Sequence, residues 1–214
     1  MEVTLTHRQE TKYDCPPGFV GRSIVHFDMH DPRWEEAEYA YADGALPPAK
    51  LGVTGCVPTT LAEVASTFHN TFIFPNQVAE LLESAHTKNG TAVDKALDIF
   101  CRVYQLQVVD KIQVSSLVEV EKLRDHLANG HIVIASFNSE SPFTNAAHVI
   151  VIRGISEDLQ RFMVVDNNDT DQYQEGKLPN RNQTEFSTFD LPQWLKNGCW
   201  VISKQPEASS EMLN

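Results

Sequence analysis

The sequence predicts an α+β protein, with helices first and antiparallel strands after them. Two patterns carry this. Between residues 59 and 128 apolar residues recur with the 3.6-residue period of amphipathic helices. From residue 131 onward they gather into short β-branched runs bounded by turn residues. Composition agrees: 214 residues, 42% hydrophobic and 21% charged, describe a folded chain able to bury one domain-sized core.

Taken in order, residues 1–50 are irregular and hold five prolines, with one short strand expected at 23–27. The first helix covers Thr59 to Phe68, with Leu61, Val64, Ala65 and Phe68 on one face and Pro58 suited to its first turn. Pro75-Asn76 opens a second, running through His86 and ended by Asn89-Gly90. A third spans Thr91 to Tyr104, with Val93, Ala96, Leu97, Phe100 and Tyr104 on one side. After a short strand at 106–111, a fourth helix covers Ser116–Ala128 and closes on Asn129-Gly130. Strands follow at 131–137, 148–155, 161–166 and 199–203, read as an antiparallel meander. The domain plan is an N-terminal extension at 1–26, one domain at 27–203 and a polar tail at 204–214.

With 17 Lys+Arg against 29 Asp+Glu, the net charge of −12 argues against nucleic acid and anionic membranes as partners. No apolar run approaches the ~18–20 residues of a membrane span, and MEVTLTHRQE has no apolar signal core. A cytoplasmic setting is expected over export for the chain as given. The four cysteines, Cys15, Cys56, Cys101 and Cys199, form no C-x-x-C pair and no disulfide framework. No metal and no cofactor are expected. Cys101 and Cys199 sit in apolar runs and read as packing; Cys15 has no assigned role.

Cys56 differs. In Gly55-Cys56-Val57-Pro58-Thr59-Thr60 it stands at the start of the first helix, where unpaired N–H groups and the macrodipole favour a thiolate. Those N–H groups also suit a developing oxyanion. Among eight histidines only His148 both follows a long loop and begins a central strand. Asp166 ends the next strand, and a hairpin centred near residue 157 sets it opposite His148. A carboxylate there orients the imidazole and stabilises its charged form. Taken singly, each residue has an ordinary structural reading: packing, a satisfied histidine, a loop-starting aspartate. Their combination is the set of parts of a Cys–His–Asp/Asn hydrolase.

Gly55-Cys56-Val57-Pro58-Thr59-Thr60-Leu61-Ala62 resembles the Gly-Cys-Gly-Pro-Thr-Ser-Leu-Ala box of the double-glycine (bacteriocin-leader) peptidase-like family, within the papain-like cysteine peptidase superfamily. Asp31-Pro32-Arg33-Trp34, Gly90-Thr91, Tyr104-Gln105-Leu106, Leu127–Val133, Ala147–Val151 and Val165-Asp166 resemble its further motifs in the same order, across about residues 27–203. The resemblance implies a papain-like fold, its helical part packed on an antiparallel β-sheet. It also implies cleavage of a peptide or amide substrate through a thioester. Cys56 would be the nucleophile, His148 the base and acid, Asp166 the orienter, and the Cys56 N–H an oxyanion donor. Gly55, Val57, His30 and Asn167 are the accompanying oxyanion or substrate-binding candidates.

Three positions depart from the family pattern. Met29 falls where members commonly carry the oxyanion Gln, and a thioether cannot donate; His30 takes the place if the register shifts by one. Val57 replaces the Gly after the Cys, and Asn167 the Pro after the Asp. Two alternatives therefore accompany the peptidase reading: an acyl or peptidyl transferase on the same fold, and a binding module with a relict site. Specificity is expected from loops 138–147 and 167–187. A calcium loop at Asp166–Asp171 is disfavoured, because it lacks the turn glycine and distal Glu. Oligomeric state is not legible.

Overall fold

The computed structural model describes residues 11–44, 46–168 and 181–206. Three short strands come first: β1 (Thr11–Tyr13), β2 (Phe19–Gly21) and β3 (Ile24–His26). Next come β4 (Glu38–Tyr39), β5 (Ala49–Lys50), the one-turn α1 (Leu51–Thr54), α2 (Cys56–His69) and α3 (Pro75–Leu82). A small ribbon of β6 (His86–Thr87) and β7 (Gly90–Thr91) precedes α4 (Val93–Val103), β8 (Leu106–Ile112) and α5 (Leu117–Ala128). The remainder is β9 (Ile132–Phe137), β10 (His148–Ser156), β11 (Arg161–Val165), β12 (Phe186–Ser187), α6 (Leu191–Trp194) and β13 (Leu195–Lys204).

The main sheet is antiparallel, in the order β12-β11-β10-β9-β13-β8, with β2 also pairing β10. The expected α+β class, with helices packed on an antiparallel sheet, is present. The meander is only partial. β9, β10 and β11 follow one another, but the last strand, β13, inserts between β9 and β8. β10 occupies one edge of β9, and the other edge receives β13 from Gly198↔Ser136 to Ile202↔Ile132.

Strand alternation splits the core in two. Ile132, Ile134, Val149, Val151, Val165, Trp200 and Ile202 face a cluster with α2, α3 and α4. Val133, Ala135, Ile150, Ile152, Val164 and Val201 face the other, with Val120, Leu123 and Leu127 of α5. The helices therefore do not share one side: α5, with its 3- and 4-residue apolar spacing, covers the reverse face.

The second helix ends earlier than its sequence pattern predicts. After Leu82 a 3-10 turn leads to His86, whose ring stacks on Tyr39 and Tyr41 at centroid distances of 3.8 and 4.4 Å. That stacking draws the chain into the β6–β7 ribbon. The third helix starts two residues later than expected for the same reason, since Gly90 and Thr91 belong to the ribbon. The fourth matches, with Ser116 as its cap and Glu119 completing a capping box.

Residues 11–26, set apart as an extension in the sequence plan, pack into the body. β2 joins the sheet through Gly21↔Gly154, where a Cβ on Gly21 would lie 2.0 Å from the Arg153 carbonyl oxygen. β3 lies against α2, and His26 Nδ1 is 2.9 Å from Glu63 Oε1. Among the described residues no helix is long and apolar enough to cross a membrane.

Candidate active site

α2 runs through the middle of the molecule, and its placement sets the site. Gly55 joins it to α1, its N–H donating to Leu51 O at 2.8 Å. A Cβ at Gly55 would sit 2.4 Å from that oxygen and 2.9 Å from Leu51 Cδ2. Close approach, not a positive φ, is thus what requires glycine here, since its φ is −84°. The tight join makes Cys56 the first residue of α2, three residues ahead of the helix start expected from the apolar pattern alone. Thr60, one turn on, donates from Oγ1 to Val149 O at 2.7 Å and ties α2 to β10.

His148 opens β10 opposite Phe137 of β9, and its side chain is buried. Its Nε2 lies 2.8 Å from Oδ1 of Asp166, which is wholly buried just beyond β11. Cys56 lines the same cavity as this imidazole, close enough for each to act on the other's charge. Nε2 is engaged by Asp166, so the nitrogen left for sulfur is Nδ1.

The expected hairpin register is off by two. Val151 pairs Val165, and a bulge between Ile152 and Gly154 shifts the rest. The turn itself carries Leu159 at φ 63°. Asp166 therefore meets His148 along a diagonal rather than straight across. An even shift keeps side chains on their face, so the contact survives.

Electrostatics single out one thiol. Burial pushes Cys199 up to about 12 and Cys101 up to about 11, and it raises Cys15 despite Arg153 nearby. Burial also works against a Cys56 thiolate. There the hydrogen bond and charge of His148, with the N–H groups of Val149 and Val57, outweigh it and hold the thiol below its ordinary value. At His148 burial favours the neutral ring, but the charge and hydrogen bond of Asp166, then Cys56, raise it to about 10. Both shifts favour a thiolate–imidazolium pair.

The other candidates separate. Val57 is buried, with its N–H toward the Cys56 sulfur. Asn167 is buried and holds the scaffold: Nδ2 donates to Thr60 Oγ1 at 2.8 Å, Cys56 O at 3.1 Å and Val149 O at 3.4 Å. Met29 lies in the wall of a 160 Å³ cavity that also exposes Cys56 and His148. His30 does not line it; its Nε2 lies 2.8 Å from Asn168 Oδ1. The 144–147 stretch of the expected specificity loop forms another wall. Of the second loop, Asn167 and Asn168 are at the site, while 169–180 lie outside the described residues, as do Asp169 and Asp171 of the disfavoured calcium loop.

Sequence reasoning missed three groups. Asn168 lines the cavity, and its N–H donates to Asp166 Oδ1 at 3.0 Å. Asn182 Oδ1 accepts from Asp166 N at 2.6 Å and fixes the strand end. Glu63, two turns below Cys56 on α2, accepts from Phe27 N at 3.1 Å and meets His26, anchoring the chain just before Met29. A signal for Glu63 existed: it is the one charged residue inside the apolar run TTLAEVASTF. A larger cavity of 560 Å³ lies between β1, β3 and the far end of α2, away from this chemistry.

The sequence model of the Peptidase_C39 like family matches residues 35–200. Among curated proteins none matches. Among solved structures, the chain is similar to the peptidase domain of Streptococcus ComA, a bi-functional ABC transporter involved in a quorum sensing pathway. The two share 13% identity over 72% of this chain and 93% of that one, with a TM-score of 0.49.

Proposed function

This chain belongs to the Peptidase_C39 like family, and from that premise we propose that it is a cysteine peptidase whose nucleophile is Cys56, with His148 as base and acid and Asp166 as orienter. One observation carries the reading. A single buried imidazole is bonded to Asp166 at 2.8 Å through Nε2 and lines one cavity with Cys56, the first residue of a long helix.

In the proposed reaction the Cys56 thiolate attacks the carbonyl carbon of a peptide bond. A C–S bond forms and the carbonyl π electrons move to oxygen, which receives the Cys56 N–H at the positive end of α2. Collapse expels the amine, which takes the proton from His148. The acyl group is left on sulfur as a thioester. Water then attacks, His148 takes its proton, and the acid departs as the thiolate is restored. Asp166 stays ionised throughout and holds the ring in the tautomer that presents Nδ1 to sulfur.

The test is acyl-enzyme trapping: a small peptide p-nitrophenyl ester, acid quench, and intact-protein mass spectrometry. A hydroxylamine-labile acyl adduct on Cys56 in wild type, absent in Cys56→Ala and His148→Ala, is expected. A folded wild-type protein that forms no adduct contradicts the reading and leaves a binding module on this scaffold.

A further inference from the structure

We propose that the 560 Å³ cavity at the far end of α2 binds a small organic anion, a carboxylate or phosphate carried on a flat apolar body. Lys12 and Arg22 take the anionic group, and Phe72 takes the body. The site is separate from Cys56, and the proposal does not rest on the cysteine-peptidase reading.

Charge is the first observation. The chain carries 29 Asp and Glu against 17 Lys and Arg. Yet among the described residues this cavity is lined by Lys12 and Arg22 and by no acid. Asp14, two residues from Lys12, accepts from Ser23 Oγ at 2.6 Å. Arg22 is fixed in place: its Nη1 donates to Gly130 O at 2.7 Å, and its guanidinium carbon lies 5.0 Å from the Phe68 ring centroid. Those contacts leave Nη2 and Nε for a ligand, and a guanidinium fork suits carboxylate and phosphate. Burial disfavours the Arg22 charge, and an anion beside it offsets that cost. Lys12 is exposed, and its ammonium pairs with no acid among the described residues.

Shape and the uncharged lining agree. A concave space of this volume, with few polar groups in its wall, has the size of a small-molecule site. Phe72 lines it while 54% exposed, with Val25 beside it in the wall, so a flat apolar body laid there covers a ring that the core leaves open. Asn70 closes α2 in the left-handed conformation at φ 51°, and with Thr71 it adds uncharged hydrogen-bonding groups. The carbonyl end of α2 is the negative pole of its macrodipole and by itself repels an anion. Lys12 and Arg22 are therefore the groups that make the cavity select for negative charge.

Two fluorescent probes test it on the full chain: anilinonaphthalene sulfonate, an aromatic anion, and phenylnaphthylamine, its uncharged counterpart. Wild type is expected to bind the anion saturably. The double variant Lys12→Gln, Arg22→Gln is expected to weaken the anion about tenfold or more, with the uncharged probe kept within about twofold. Lys12→Gln alone is expected to weaken the anion by a smaller factor. Because Lys12 is exposed, that variant keeps the test open if urea midpoints show that the Arg22 substitution costs stability. Thr71→Trp fills the cavity and is expected to weaken both probes. Phenyl phosphate and benzoate are expected to displace the anion where benzyl alcohol does not, and the stronger competitor identifies the headgroup. Absence of saturable binding in wild type overturns the proposal. So does undiminished binding in Thr71→Trp, which places the probes elsewhere. Charge variants that weaken both probes equally, or neither, also overturn it, as does displacement by benzyl alcohol on a par with the two anions or by none of the three.

Discussion

Asp166 reaches His148 across a diagonal of the β10–β11 hairpin, Oδ1 to Nε2 at 2.8 Å, although the register sets neither residue opposite the other. The bulge after Ile152 moves the ladder, and Asn182 and Asn168 fix the Asp166 backbone and carboxylate where the strand ends. The site thus depends on loop hydrogen bonds as much as on strand pairing.

Asp166→Asn removes the charge that opposes burial at His148. A His raised to about 10 contributes stability that is fully present below its unfolded value near 6.5 and is lost as pH rises through about 10. Urea midpoints from pH 6 to 10 should show wild type ahead of the variant at pH 6, the gap closing toward pH 10. Parallel curves would show that Asp166 does not raise His148.

Asn167 is the bolt between α2 and β10. Asn167→Ala leaves buried acceptors at Cys56 and Val149 without that donor, at a cost of about 1–3 kcal/mol. Asn167→Asp also brings a negative charge beside the thiolate. Thiol titration by alkylation should show a higher apparent Cys56 pKa in Asn167→Asp than in Asn167→Ala. An equal value in both would mean the side chain is not electrically coupled to the site.

Gly55→Ala forces a methyl to 2.4 Å from Leu51 O. Relief requires α1 to move off α2, and overpacking of this kind costs typically about 1–3 kcal/mol. Denaturant unfolding should show that loss together with slower Cys56 alkylation. A variant as stable as wild type would mean the α1–α2 join is loose.

Glu63 is buried, and burial lifts its carboxyl to about 7 against the hydrogen bond and charge of His26 and the Phe27 N–H, with Asp166 adding to the lift. Its folded value lies above its unfolded one, so its contribution to stability is full below about 4.3 and is lost as pH rises through about 7. Relative to Glu63→Gln, the urea midpoint of wild type should fall across that window and level off above it. A constant difference between the two proteins would place the titration elsewhere.

Much of this was legible in the sequence. The helical period located α2 and α5, and β-branched runs located β9, β10 and β11, because each element buries a face whose spacing is intrinsic to it. Cys56, His148 and Asp166 could be picked out because their residue types are out of place in otherwise apolar or turn-like surroundings. The hairpin register was not legible, because neither the bulge at Arg153 nor the left-handed Leu159 leaves a composition signal. β13 inserts beside β9 through long-range pairing, which no local pattern encodes. Asn167, Asn168 and Asn182 escaped for a related reason. A run of Asp and Asn reads as a turn, and only the fold turns it toward Cys56, His30 and Asp166. His30 itself is placed one contact away from where the motif alignment put it.

The central claim is that Cys56 and His148 form a thiolate–imidazolium pair. It is tested most directly by the rate of iodoacetamide alkylation of each cysteine from pH 4 to 9, mapped by mass spectrometry, in wild type and His148→Ala. The account predicts fast labelling at Cys56, with an apparent pKa well below the free-thiol value of ~8.5. It predicts that this advantage disappears in His148→Ala, while Cys101 and Cys199 stay slow in both. Labelling of Cys56 with an ordinary thiol pKa, unchanged by the substitution, would contradict it.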